Sequence, residues 1–220
     1  MVVRAWRWVL VPALLTLLVT VLRLVGELRG WSPHWFSNAP GGGAALVGIV
    51  WLPAVFGPWF GWRLARQQER PRRPLRALGI QCLAAILFVS TFVCVHRVLR
   101  PDASTRSGLQ VQILAMGVGS ALSAVPGVLA WPALGRVNLL YGLLARAPVV
   151  AITFVAVACD WGTHYEKLGP HDYAGLLPME RAAWLAFTQL TIWPACTVVV
   201  GGLLGLLAAA CGPRRARPAP

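Results

Sequence analysis

Residues 159–173 read CDWGTHYEKLGPHDY and set two histidines, two aspartates and one glutamate within fifteen residues. Imidazole and carboxylate at such short spacing suit two kinds of chemistry: holding a metal ion, or forming a general base with the partner that orients it. Asp160 and His164 stand four apart, so a helix carried one turn further would put them on one face. His164 and Glu166 flank Tyr165, a spacing that suits extended chain, and Gly162 marks a break where both arrangements meet. Gly169-Pro170 is a turn signal, and His171-Asp172 follows it. An enzyme built here would use His164 as base and Asp160 to orient it, acting on a lipid or quinone at the membrane interface. A metal or haem site would draw on His164, Asp160 and Glu166, with His96 or His171 added. The same residues also suit a plain polar loop between membrane helices, with Trp161, Tyr165 and Tyr173 in an interfacial aromatic belt.

Other groups that bear on chemistry lie outside this stretch. Arg23 and Glu27, four apart, are expected to pair on one helix face and so reduce the cost of two charges near lipid. That pair is structural unless Glu27 faces the histidines. Asn138, Gln110, Gln112 and Gln189 sit in or near apolar runs, where interhelical hydrogen bonding is their expected use. The five cysteines show no CxxC spacing, and most behave as small hydrophobes within apolar runs. There is no GxSxG, HExxH, Walker or CxxCH motif, and the HxE of His164 and Glu166 lacks the PCxxC of a zinc deaminase.

The elements that must position these groups follow from composition. The chain has 220 residues, 57% hydrophobic and 12% charged, with mean hydropathy +0.65. A soluble domain carries about 25% charged residues, so the bilayer is the solvent that fits. The expected fold is an all-α integral membrane bundle of about six transmembrane helices with short loops. The spans run roughly over 5–26, 42–65, 77–96, 109–133, 137–160 and 182–210, and a short basic cytoplasmic tail follows over 211–220. The first span reads as an uncleaved helix, because Arg23, Glu27 and Arg29 occupy the place of a cleavage site. The fifth is expected to begin near Val137, to bend at Pro148, and to send Arg146 snorkelling toward water. The alternative is that residues 137–147 lie along the interface. Gly57-x-x-x-Gly61 and Gly201-x-x-x-Gly205 are expected at close helix contacts. The prolines Pro53, Pro58, Pro126, Pro132 and Pro194 are compatible with broken helices framing a cavity.

Orientation comes from the basic loop RQQERPRRPLR, which belongs on the cytoplasmic side. Six spans then place both termini there and leave only Arg23, Arg29, Arg97, Arg100, Arg106, Lys167 and Arg181 outside. All four histidines and six of the seven acids fall on that outer side, with Glu69 alone inside. The net charge of +13 implies no nucleic-acid partner, since the arginines lie between apolar runs. Partners are the lipid bilayer and other membrane subunits. With one Lys among twenty basic residues, the composition points to a GC-rich bacterial genome and so to an inner membrane. The leading functional expectation is a non-enzymatic membrane component, an accessory subunit or small transporter-like protein. The alternatives are the metal or haem site and the enzyme described above.

Overall fold

The computed structural model describes residues 2–43, 45–168 and 175–212. Six helices account for most of them: α1 (Val2–Leu28), α2 (Leu52–Arg66), α3 (Pro74–Cys94), α4 (Arg106–Ala130), α5 (Pro132–Cys159) and α6 (Pro178–Cys211). No strand occurs among the described residues. Four of these helices, α2, α3, α5 and α6, open with proline at the first or second position, where its missing N–H costs nothing and its fixed φ is already helical. Interior prolines at positions 12, 58, 126, 148 and 194 are accommodated within continuous helices.

Five helices are long and apolar enough to cross a membrane: Trp8–Leu28 of α1, Pro74–Leu99, α4, α5 and α6. The second of these is α3 extended by a single π-helical turn, Val95–Leu99. Between α1 and α2 the structure departs from the expected span at 42–65. The helix starts only at Leu52 and has 15 residues, about 22 Å at 1.5 Å per residue. A short 3-10 turn, Pro40–Gly42, and bends over residues 46–51 precede it. Three successive glycines, Gly41, Gly42 and Gly43, have positive φ there, and helix cannot run through them. The segment 137–147 lies inside α5, which follows α4 after the single residue Trp131. That connection is tight because a Cβ on Gly135 would lie 2.6 Å from the Cα of Val128.

At the centre of the bundle α6 packs against α2, α3, α4 and α5. Its approach to α2 rests on the two glycine pairs, which meet face to face. A Cβ added to Gly57 would overlap the backbone of Gly201, and one added to Gly61 would overlap the backbone of Gly205. Gln81 of α3 also reaches α6, donating from Nε2 to the carbonyls of Val198 (3.1 Å) and Val199 (2.9 Å). Around this core, Phe60, Leu134, Val137 and Tyr141 are fully enclosed. Outside it, Leu14, Leu18, Ile86, Leu122 and Leu129 are all more than 60% exposed. Such a belt of large aliphatic side chains on long helices needs an apolar surrounding.

Two cavities lie at opposite ends of the bundle. One, about 1560 Å³, is bordered by Trp8, the C-terminal end of α2, the start of α3, the end of α4 and the start of α5, and carries Arg70, Arg72, Arg73, Arg76 and Arg136. The other, about 470 Å³, is bordered by the C-terminal part of α1, the later half of α3, the start of α4, the middle of α5 and the first half of α6. Successive helices therefore run in alternate directions.

Candidate functional site

Arg23 sits on the last turns of α1 and is only 7% exposed. Its Nε donates to Glu27 Oε1 at 2.8 Å, one turn on. Its Nη2 donates to the carbonyls of Ser37 (2.9 Å) and Gly42 (2.7 Å), which pins the glycine turn against α1. A Cβ on Gly42 would come within 2.8 Å of that guanidinium, so the glycine makes room for the arginine as well as for the positive φ. The Pro40–Gly42 turn is thus a fitted acceptor for Arg23.

Glu27 faces a histidine. Its side chain is fully enclosed, and besides Arg23 it accepts from His164 twice: from the backbone N at 2.9 Å and from Nδ1 at 2.5 Å. A carboxylate can only accept, so Nδ1 carries the hydrogen and the lone pair is left on Nε2. Nε2 has no hydrogen-bond partner among the described residues. Burial, with Arg23 and Arg146 nearby, holds the His164 imidazole below its ordinary pKa despite the Glu27 carboxylate that pushes it up. Burial sets the direction, and the charges add to it in part: Arg23 already neutralises Glu27, so a second cation would leave the cluster positive. The result is a neutral imidazole oriented by a carboxylate, the arrangement of a general base with its partner.

The His164–Glu166 turn is held from several sides. Tyr165 is 5% exposed and donates its hydroxyl to the carbonyl of Thr20 at 3.2 Å. Burial pushes its phenol well above the ordinary range, so it stays neutral. Lys167 Nζ donates to the carbonyl of Asn38 at 2.9 Å, tying the two loops at this end of the bundle to each other. Glu166 is 4% exposed, and among the described residues neither carboxylate oxygen has a hydrogen-bond partner.

The remaining sequence candidates lie elsewhere. Asp160 caps the C-terminus of α5 with φ +49° and is exposed. Glu27 occupies the orienting position at His164 that sequence spacing assigned to Asp160. The helix ends at Cys159, so the one extra turn that would bring Asp160 and His164 to one face is absent. His96 is exposed on the π-helical turn, which packs on α3 and α4, whereas the His164 turn packs on α5, α6 and the Pro40–Gly42 turn. His171 lies outside the described residues. Among the described residues no three His, Cys, Asp or Glu side chains are placed to share one metal ion.

Arg146 corrects a further expectation. It does not snorkel: it is 7% exposed, lies halfway along α5, and turns into the bundle. Its Nη1 donates to Gln189 Oε1 at 2.9 Å, and its guanidinium lies 4.4 Å from the ring centroid of Trp193. Both partners are on α6 and together draw the side chain inward. Of the other polar groups, Gln110 donates from Nε2 to Glu180 Oε1 at 2.8 Å, a bond between α4 and α6 reinforced by the Arg106–Glu180 ion pair at 2.6 Å. Asn138 is buried against Gly201, and its side chain has no hydrogen-bond partner among the described residues.

His164, Tyr165, Arg23 and Arg146 all line the 470 Å³ cavity, together with Gln112, Thr188 and Gln189. Phe88, Phe92, Ile113, Met116, Leu185 and Ile192 supply its apolar wall. A largely apolar hollow with a few convergent polar groups and a perturbed histidine is the usual form of a small-molecule site. Sequence reasoning missed Arg146 as a member of this site. The available signal was its place in the middle of a long apolar run, where an ionisable residue tends to face a cavity. Compared with protein-family models, curated proteins and solved structures, the chain matches none.

Proposed function

We propose that this chain is a multi-pass membrane protein that binds an amphipathic small molecule in the 470 Å³ cavity, acting as a small transporter-like or accessory membrane component. In this reading all six helices cross the bilayer, α2 being the shortest of them. Both termini are cytoplasmic, and the arginine-lined end faces the cytoplasm. His164 and the cavity then open toward the outer side of a bacterial inner membrane, where other subunits can cover the exposed helix faces. The observation that carries the proposal is the convergence of His164 and Arg146, from a loop and from mid-helix, on one apolar-walled cavity.

The test is binding. Protein in neutral-lipid nanodiscs is incubated with radiolabelled hexadecanol and palmitate, against empty nanodiscs. Saturable binding of either, reduced by Ile192→Trp in the cavity wall, supports the reading. Equal retention by protein-loaded and empty nanodiscs overturns it.

A second reading has its own observation in its favour. The 2.5 Å contact from Nδ1 to Glu27 with Nε2 left unpaired prepares His164 to take a proton from a bound lipid or quinone. Here Glu27 replaces Asp160 as the orienting group. This enzyme reading requires that His164→Gln abolish turnover of such a substrate while its binding persists.

A further inference from the structure

Two arginines lie in the same cavity wall with the same 7% exposure, and their surroundings differ sharply. Arg23 has a carboxylate, Glu27, and two backbone carbonyls. Arg146 has one neutral acceptor, Gln189, and the face of Trp193. Among the described residues its side chain makes one hydrogen bond, through Nη1, and the edge formed by Nε and Nη2 is unused. Among the described residues no carboxylate borders the cavity, whereas Arg23, Arg146 and Lys167 all do. Glu27 is already committed to Arg23 and His164. A guanidinium buried halfway along a long apolar helix needs a counter-charge, and the described residues supply none beside it.

We infer that the missing counter-charge is the ligand's: the cavity takes a single-chain anionic amphiphile whose carboxylate or phosphate head binds the Nε–Nη2 edge of Arg146. That edge offers two parallel N–H donors, which match the two oxygens of an oxyacid head. Gln189 and Trp193 fix the plane of the guanidinium, and Arg146 borders the hollow. The tail lies along Phe88, Phe92, Ile113 and Met116, which carry no charge. His164, neutral at the outer edge of the same cavity, adds no competing negative charge. This inference rests on the proposed ligand-binding role of the cavity and specifies which amphiphile it admits.

The experiment compares three probes of equal chain length in neutral-lipid nanodiscs: palmitate, hexadecyl phosphate and hexadecanol. The wild-type protein is expected to bind one or both anions at least tenfold more tightly than the alcohol; the stronger of the two identifies the head group. Arg146→Gln should remove that preference. Gln189→Glu provides a variant that does not depend on a buried unpaired side chain. It gives Arg146 an internal carboxylate, so it should raise the melting temperature and reduce anion binding at least tenfold. Palmitate, hexadecyl phosphate and hexadecanol binding alike overturns the inference while leaving the cavity in use. Binding of none of them overturns the cavity reading itself. Undiminished anion binding by Gln189→Glu places the anion elsewhere and also overturns the inference.

Discussion

Glu27→Ala tests whether the end of α1 is organised around one carboxylate. The substitution removes a fully enclosed side chain that accepts from Arg23 Nε at 2.8 Å, His164 N at 2.9 Å and His164 Nδ1 at 2.5 Å. Breaking one partner of a buried pair costs about 3–5 kcal/mol, because the opposite charge is left without compensation. Arg23 keeps the carbonyls of Ser37 and Gly42, which places the expected loss near the lower end, about 3 kcal/mol. Unfolding is followed by tryptophan fluorescence in a titration from mild detergent into dodecyl sulfate. A double-mutant cycle with Arg23→Gln isolates the pair. Removing the arginine relieves the orphaned charge, so the double variant should be more stable than the sum of the single losses allows, by about 1–3 kcal/mol. A loss below about 1 kcal/mol for Glu27→Ala, or strict additivity in the cycle, would refute the reasoning, since surface pairs behave that way and buried ones do not.

Three further outcomes follow from the same geometry. His164 is held neutral below its ordinary pKa of about 6.5, while the unfolded chain takes up a proton there. Its contribution is therefore whole above about pH 6.5 and is lost as pH falls below it, with a slope approaching about 1.4 kcal/mol per pH unit. The melting temperature of His164→Gln should fall less steeply than that of the wild type between pH 6.5 and 5, and parallel curves would contradict this. Gly61→Val drives a branched side chain into the backbone of Gly205, so α2 must separate from α6. A loss of about 1–3 kcal/mol is expected in the same detergent titration, with Gly79→Val, which meets nothing within 4 Å, as the control. Glu166→Gln replaces a buried carboxylate without hydrogen-bond partners among the described residues by a neutral amide, and should raise stability by at least about 1 kcal/mol. A loss there would mean that the carboxylate has a partner that the variant removes.

The helical class was legible because it is written in composition and run length, which need no knowledge of neighbours. The two glycine pairs were legible one by one as close-approach signals, although nothing in the spacing said that they face each other. The start of α2 was not. Residues 42–51 are apolar enough to extend a span, and the decision against helix comes from three glycines at positive φ and a guanidinium 19 residues upstream. Arg146 was read by the common behaviour of long basic side chains near a membrane edge. It turns inward because Gln189 and Trp193 stand opposite it on α6, a pairing 43 residues away. Glu27 and His164 are separated by 137 residues, and only the condition for their meeting could be stated beforehand. Local spacing suggested Asp160 instead, since the end of α5 at Cys159 was not fixed to the residue.

The latch at the end of α1 also imposes an order on assembly. Among the other helices α1 packs mainly on α5, and its polar end is closed by Glu27 meeting a turn that follows α5 in the chain. During synthesis α1 precedes that turn by more than half of the protein. For all of that time Glu27 has Arg23 but lacks His164, and Tyr165 is not yet available to the Thr20 carbonyl. The first helix made is thus among the last to be secured, and its docking reports that α5 and the turn after it have been placed correctly.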